Sequence, residues 1–438
     1  MILFGTSKRT DLKITGLFLW LLFHFFRLLV RISLLFQFNR LVLIGRNNLL
    51  QLHRPTIIAV NHPSTMMDVF ITAPFIPRVL FFLANYSLFK NPVTNWLLKR
   101  LYCIPIKRKE DVGPNGIIDN DQAFEQSYQH LEKRGALFVA PEGVSWTNRF
   151  IRPLKTGTAR IALTAEAKKN GTLGLQIIPI GLSYLPHQNA IVQIGQPLSV
   201  IDWIPRYKQH PTETVQALTH TLEQALQSLT LHTHNEDGEQ AVTQIETLLQ
   251  NEYPLAPRQQ FFRTQSILPS FLPNKALHQQ LKDWFLLLES KQLTDDGVSA
   301  KYHGTSLLLL LLGSPIFLVF QAGCVLLGCN LHKWILKRFS IYPGYGTTIK
   351  LLFNTFISFP VLLLVSAQWL TGWQLFITCL VLSLIVTHYN RQYKKSLNKI
   401  RSMFEFKQLP EQLRKQLLQQ RQELLEQVNT LYPTVRFP

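Results

Sequence analysis

Residues 56–68 read Thr56-Ile57-Ile58-Ala59-Val60-Asn61-His62-Pro63-Ser64-Thr65-Met66-Met67-Asp68. The first five, β-branched but for one alanine, run without alternation, as in a strand covered on both faces. Asn61, Pro63 and Ser64 then break the run as a turn, and a helical pattern follows over 64–75. An imidazole thus lies just past a strand end, with a carboxylate six residues on at a helix start. Imidazole titrates near neutral pH and suits a general base. The carboxylate can turn back to fix the tautomer and stabilise imidazolium, as the third member of a triad does. A His and an Asp alone fit a core histidine and a helix cap equally well.

Outward from this stretch, strand-like runs recur at Val79–Ala84, Leu101–Ile106, Ala136–Ala140, Leu175–Tyr184 and Ala190–Ile194. Helical patterns at 90–100, 117–134 and 155–169 separate them. The alternation predicts an α/β domain with a largely buried sheet. Chemistry in such folds collects in the loops beyond strand ends. Two more of those loops are loaded. Ile104-Pro105-Ile106-Lys107-Arg108-Lys109 puts cations at a strand end, either for solubility or as an anion site. Ala140-Pro141-Glu142-Gly143-Val144-Ser145 is a tight turn with free N–H groups and one carboxylate, or an ordinary β-turn.

Together these elements resemble the four ordered blocks of the glycerolipid acyltransferases, the glycerol-3-phosphate and 1-acylglycerol-3-phosphate O-acyltransferases. The blocks are His62 to Asp68, Ile104 to Arg108, Pro141-Glu142-Gly143 with Ser145, and Ile178-Pro179-Ile180. Asn120-Asp121-Gln122-Ala123-Phe124 and Lys155-Thr156-Gly157-Thr158-Ala159-Arg160-Ile161-Ala162 support the resemblance, which covers about residues 50–200. The chain departs from the usual pattern in three places. Five residues rather than four separate His62 from Asp68, so a dyad requires the longer loop to bulge. Tyr102 stands where the second block opens with Gly, and Ala140 where the third has Phe.

The resemblance implies an acyltransferase-type mixed sheet flanked by helices, catalytic roles for His62 and Asp68, and binding of the acceptor's phosphate by Arg108. It implies that Glu142 and Gly143 shape the acceptor site, with Lys155 a weaker candidate for the same anion. The reaction implied is transfer of a fatty acyl group from an acyl thioester, acyl-CoA or acyl-carrier protein, to a phosphorylated glycerol acceptor in phospholipid biosynthesis. Glycerol-3-phosphate is the expected acceptor and lysophosphatidic acid (1-acylglycerol-3-phosphate) the alternative. No metal or redox cofactor is expected. A serine hydrolase is a poorer reading: Gly181-Leu182-Ser183-Tyr184-Leu185 and Gly143-Val144-Ser145-Trp146-Thr147 both lack the final glycine of a nucleophile elbow. A non-catalytic membrane tether that binds lipid is the alternative of a different class, and the intact His62, Asp68, Arg108 and Glu142 set argues against it.

Composition points to a membrane. The 438 residues are 47% hydrophobic and 16% charged, with 29 Phe and a net charge of +19. Residues 1–55 carry eight basic residues and one acidic, and residues 301–407 eleven and one. Nearly all the excess charge therefore lies in or beside the two most apolar zones, the pattern of cations meeting anionic lipid head groups. The near-neutral middle has no basic stripe, which excludes nucleic acid as the expected partner. Four cysteines, three of them in apolar runs, form no disulfide framework and no metal spacing.

Residues 14–37 are apolar but hold His24, Arg27 and Arg31 on one helical face. An interfacial helix fits them better than a span or a cleaved signal peptide. Residues 305–329 and 351–388 are apolar zones broken by Gly313-Ser314-Pro315 and Thr371-Gly372-Trp373. The second is long enough for a hairpin of two spans. The basic stretches around Lys333–Lys350 and Arg391–Arg401 fall on its cytoplasmic side by the positive-inside rule. Residues 410–432 form an amphipathic helix with Leu413, Leu417, Leu424 and Leu425 on one face. His232, His234, Glu236 and Asp237 read as a solvated loop before a metal site.

The expected organisation is therefore 1–50 interfacial helices, 51–205 the α/β catalytic domain and 206–300 a polar helical extension. Membrane helices follow over 301–390, and a basic amphipathic C-terminal helix over 391–438. The expected location is an integral or monotopic membrane protein with its catalytic domain on the cytoplasmic face.

Overall fold

The computed structural model describes residues 24–50, 53–108, 111, 119–299, 346–353 and 372–431, with scattered positions between 308 and 368. Eight strands form one sheet: β1 Arg40–Ile44, β2 Thr56–Val60, β3 Phe81–Asn85, β4 Cys103–Ile106, β5 Ala136–Val139, β6 Gln176–Leu185, β7 Asn189–Ile194 and β8 Leu198–Ser199. Their order is β1-β7-β6-β2-β5-β3-β4, with β8 beside β6. The sheet is mixed. β6 runs antiparallel to β7 and β8, and the other pairings are parallel.

Strand β2 is buried along its whole length, because each face meets a separate apolar layer. Ile57 and Ala59 enter one core with the helices Asp121–Glu132, Gly157–Lys168 and Pro211–Ser228. Ile58 and Val60 enter the other with Met67 and Ile71 of the helix Met66–Thr72 and with Val30 and Leu34. Strand β6 is twice the length of β2, ten residues against five. Its register with β2 runs from Thr56↔Gln176 to Val60↔Ile180, so Gly181–Leu185 overshoot the end of β2 and pair with β7. Asn61 bridges the step. Its amide accepts from Leu182 N at 2.7 Å and donates to Leu182 O at 3.1 Å, in place of one more rung of backbone.

Two expectations about the N-terminal region are corrected. Arg40–Ile44 are not interfacial helix but a strand, parallel to β7, so the sheet begins inside the expected 1–50 unit. Residues 24–37 are helical, yet their cations do not form a free basic face. Arg27 and Arg31 both donate to the Pro74 carbonyl, at 2.6 Å from each residue's closest nitrogen, while Val30 and Leu34 are buried. A proline carbonyl that ends a helix needs donors, and two guanidinium groups supply them.

The helices Glu236–Glu252, Pro257–Phe271 and Lys275–Ser290 build a third core against Leu185 and Ile191. The helix Glu411–Thr430 closes it with Leu417, Leu424, Leu425 and Val428, and Leu413 packs against its edge. The expected extension and C-terminal segment therefore share one hydrophobic core. Most of the expected 301–390 unit, including most of residues 305–329 and of the first leg of the hairpin, lies outside the described residues. From Gly372 the chain is one helix of 37 residues to Gln408, about 55 Å long. It does not stop at 388 but carries the basic stretch within it until Pro410 ends the run. Trp373–Gln408 is long and apolar enough to cross a membrane, and its most apolar window is wholly unburied. Its lower half is docked: Arg391 donates to Asn39 Oδ1 at 2.9 Å, and Ser402 Oγ accepts from Thr294 N at 2.8 Å. Arg391 is thus spent on protein rather than left for lipid head groups.

Candidate active site

Strands β2 and β5 are parallel neighbours, so their carboxyl ends open on the same edge of the sheet. His62 follows β2, and Pro141-Glu142-Gly143 follows β5. The His62 ring is bonded through Nδ1 to Asp68 Oδ2 at 2.9 Å. Asp68 is 1% exposed and lies in the first turn of the helix Met66–Thr72, where the helix dipole favours an anion. Its remaining valences are filled: Oδ2 also accepts from Ser64 N at 2.8 Å and Oδ1 from the Tyr184 hydroxyl at 2.8 Å. Burial and the Asp68 charge hold the Tyr184 phenol well above its usual range, so it stays a donor. A carboxylate so bonded keeps the proton on Nδ1 and leaves Nε2 as the basic nitrogen.

The fifth residue between His62 and Asp68 is accommodated at Thr65. Its φ of 49° and ψ of −128° are rare for a β-branched residue. The Thr65 N–H donates to Ser145 Oγ at 2.7 Å, which pins the bulge from the β5 loop. The longer loop does bulge, and the dyad closes across it.

Glu142 is 5% exposed and brackets the two loops. Its Oε1 accepts from His62 N at 2.8 Å and its Oε2 from Arg152 N at 3.2 Å. Burial raises its pKa, opposed by the His62 and Arg152 amides. Gly143 adopts a φ of 74°, and a Cβ there would sit 3.3 Å from Lys155 Cγ. The structure thus brings His62, Asp68, Glu142, Gly143 and Lys155 together, with Lys155 N bonded to Pro141 O at 2.8 Å. Arg108 stands apart. It follows β4, the sheet edge, three strand positions from β2, or about 14 Å between strand axes. Its N–H is held by Asp111 Oδ2 at 2.9 Å.

Sequence reasoning missed Tyr184 and Arg149, and it named Ser145 in the third block without its bond to the Thr65 N–H. Arg149 fastens the β5 loop to the helical extension. Its guanidinium lies 2.6 Å from Glu246 Oε2 and 3.1 Å from Glu239 Oε1. The overshoot of β6 would have signalled Tyr184, had the register been known. His232 and its neighbours are absorbed structurally: Ile151 N donates to His232 Nδ1 at 3.0 Å, and Asn235 caps the helix holding Glu236 and Asp237. Burial lowers the His232 pKa to about 4, so it accepts as a neutral ring.

A family model described as Acyltransferase matches residues 40–183, from the first residue of β1 into β6. The match spans about a third of the chain. The match begins with β1, in agreement with its place in the sheet. Glycerol-3-phosphate O-acyltransferase 2 of Saccharomyces cerevisiae is 34% identical over 120 residues, 26% of this chain and 16% of that protein. Glycerol-3-phosphate O-acyltransferase 1 of the same yeast is 28% identical over 121 residues, with the same coverage of 26% and 16%. The chain thus matches only about a sixth of the length of these relatives. The crystal structure of the 1-acyl-sn-glycerophosphate (LPA) acyltransferase PlsC from Thermotoga maritima aligns with 43% of this chain and 72% of that one, at 17% identity and a TM-score of 0.31.

Proposed function

We propose that the acyltransferase domain moves a fatty acyl group from an acyl thioester to a hydroxyl of glycerol-3-phosphate. The observation that carries this reading is the Asp68 carboxylate, saturated by His62, Ser64 and Tyr184. In the proposed step His62 Nε2 takes the acceptor's hydroxyl proton while Asp68 stabilises the imidazolium. The oxygen attacks the thioester carbonyl, and the resulting tetrahedral oxyanion collapses with loss of the C–S bond. The thiolate leaves with the proton from His62. The step as written uses no metal and no redox cofactor. Arg108, at the far end of the same sheet edge, would take the acceptor's phosphate, with Lys155 nearer the dyad. Acyl-CoA or acyl-carrier protein would be the donor. The names of the yeast relatives support glycerol-3-phosphate over lysophosphatidic acid. The long apolar helix supports a membrane location, and by the positive-inside rule its basic flank would put the catalytic domain on the cytoplasmic face.

The test is thiol release from labelled oleoyl-CoA by purified protein in detergent, wild type beside His62→Ala. Glycerol-3-phosphate and lysophosphatidic acid are offered in turn. Release that depends on glycerol-3-phosphate and vanishes in the variant is expected. Equal release from both proteins, or none with either acceptor or with acyl-carrier protein as donor, would overturn the proposal.

A further inference from the structure

Between β3 and β4 the chain crosses through a single turn, Tyr86–Phe89, and the helix Pro92–Arg100. A crossover helix normally buries an apolar face, because a helix of nine residues has little stability of its own. This one leaves two of its apolar residues in the open. Val93 is 72% exposed, Trp96 57% and the adjoining Leu101 51%. Leu88, in the preceding turn, is exposed as well. An apolar patch of this kind marks a surface that something else covers.

Charge identifies the cover. Residues 79–108 hold five basic residues and no acidic one. Of the basic residues, Lys90, Lys99 and Arg100 are exposed beside the patch. The Arg100 guanidinium lies over the Trp96 ring, 4.0 Å from its centroid. Tryptophan and leucine flanked by Lys and Arg is the composition that settles at a bilayer interface. A second copy of the chain would bring two cationic patches face to face, which like-charge repulsion disfavours.

We propose that the crossover, residues 86–102, is a docking face for an anionic phospholipid leaflet. Val93, Trp96 and Leu101 enter the head-group boundary, and Lys90, Lys99 and Arg100 meet lipid phosphates. This surface is separate from the long C-terminal helix and from the 24–37 helix, whose cations are bonded internally. The turn Tyr86–Phe89 springs from the carboxyl end of β3, on the sheet edge that bears His62 and Glu142, and the helix runs back from it to the amino end of the parallel strand β4. The assignment goes beyond the proposed reaction and stands on exposure and charge alone.

The test uses the full chain with its four cysteines replaced by serine and a single Val93→Cys carrying an environment-sensitive fluorophore. It is reconstituted into phosphatidylcholine–phosphatidylglycerol vesicles containing a nitroxide lipid. Labels at Val381→Cys, in the apolar helix, and at Lys282→Cys, on the exposed face of the extension, give the inserted and aqueous references. Expected is a blue shift and strong quenching at Val93→Cys. Both should be lost in phosphatidylcholine alone and in the triple variant Lys90→Glu, Lys99→Glu, Arg100→Glu. Quenching no greater than at Lys282→Cys would mean that protein or water covers the patch, and would overturn the proposal. So would quenching indifferent to lipid charge and to the triple variant. Acyl transfer in detergent is measured beside it, so a failed docking face with intact transfer is distinguished from a failed reaction.

Discussion

The Glu142 carboxylate accepts the backbone N–H of His62 at 2.8 Å, so the residue expected to shape an acceptor pocket is also the brace of the proposed base. Its other oxygen holds Arg152 N at 3.2 Å, and the side chain is buried. Replacing it with Ala strands two part-buried donors, each costing up to about 1–3 kcal/mol. The pH dependence has a definite sign. Burial raises the Glu142 pKa in the folded state, so the folded chain holds the proton more tightly than the unfolded one. Its contribution to stability is greatest below the ordinary glutamate pKa and falls as pH rises through the raised value. Melting temperatures of wild type and Glu142→Gln across that range should show the wild type losing ground as pH rises. A constant difference would contradict the raised pKa.

Tyr184 is the third donor on Asp68, and its loss should show in turnover rather than in substrate affinity. Tyr184→Phe removes a bond of 2.8 Å to a buried carboxylate and leaves the fold of β6 untouched. A penalty of about 1.4 kcal/mol confined to the transition state is about tenfold in rate. We expect kcat to fall by about that factor with KM unchanged. A rise in KM alone would move Tyr184 from positioning the dyad to binding substrate.

Arg149 joins the β5 loop to the extension through carboxylates it largely desolvates. Glu246 is fully buried and also accepts from Thr264 Oγ1 at 3.2 Å. Arg149→Met leaves that charge without its counterion, a loss of about 3–5 kcal/mol by the usual cost of breaking one side of a buried pair. The double variant Arg149→Met, Glu246→Leu should recover much of it in a thermal melt. A double variant no more stable than the single one would show that the ion pair is not what joins the two parts.

The sheet was legible where the signal was local. The run Thr56–Val60 matches β2 residue for residue, since a strand buried on both faces needs an unbroken apolar string and a turn to end it. Strand β1 was not legible: Arg-Leu-Val-Leu-Ile continues an apolar helical stretch, and its partner β7 lies about 150 residues away. His62 with Asp68 was readable because six residues bring them back together. The bonds that Tyr184 and Ser145 make to the His62–Asp68 loop were not, because these residues meet it only through the strand order and the overshoot of β6. The cations at Arg27 and Arg31 misled for the same reason: nothing in residues 14–37 reveals that the Pro74 carbonyl will be waiting for them.

Thr65 offers the sharpest test of how the five-residue loop serves the dyad. Its backbone occupies a region that glycine visits freely and threonine does not, and its hydroxyl is buried without a partner. Such conformations cost about 1–3 kcal/mol and persist when the surroundings impose them. Here Ser145 and the helix Met66–Thr72 do so. Thr65→Gly relieves the strain and removes the unpaired hydroxyl, against about 0.5–1 kcal/mol of added chain entropy. The net expectation is a protein more stable by about 1 kcal/mol. The same freedom loosens the span between His62 and Asp68, so kcat should fall while the melting temperature rises. Thr65→Ala, which keeps the strain and removes only the hydroxyl, should leave kcat near wild type. If Thr65→Gly lowers both stability and turnover, the loop is not strained at Thr65, and its fifth residue is carried by packing instead.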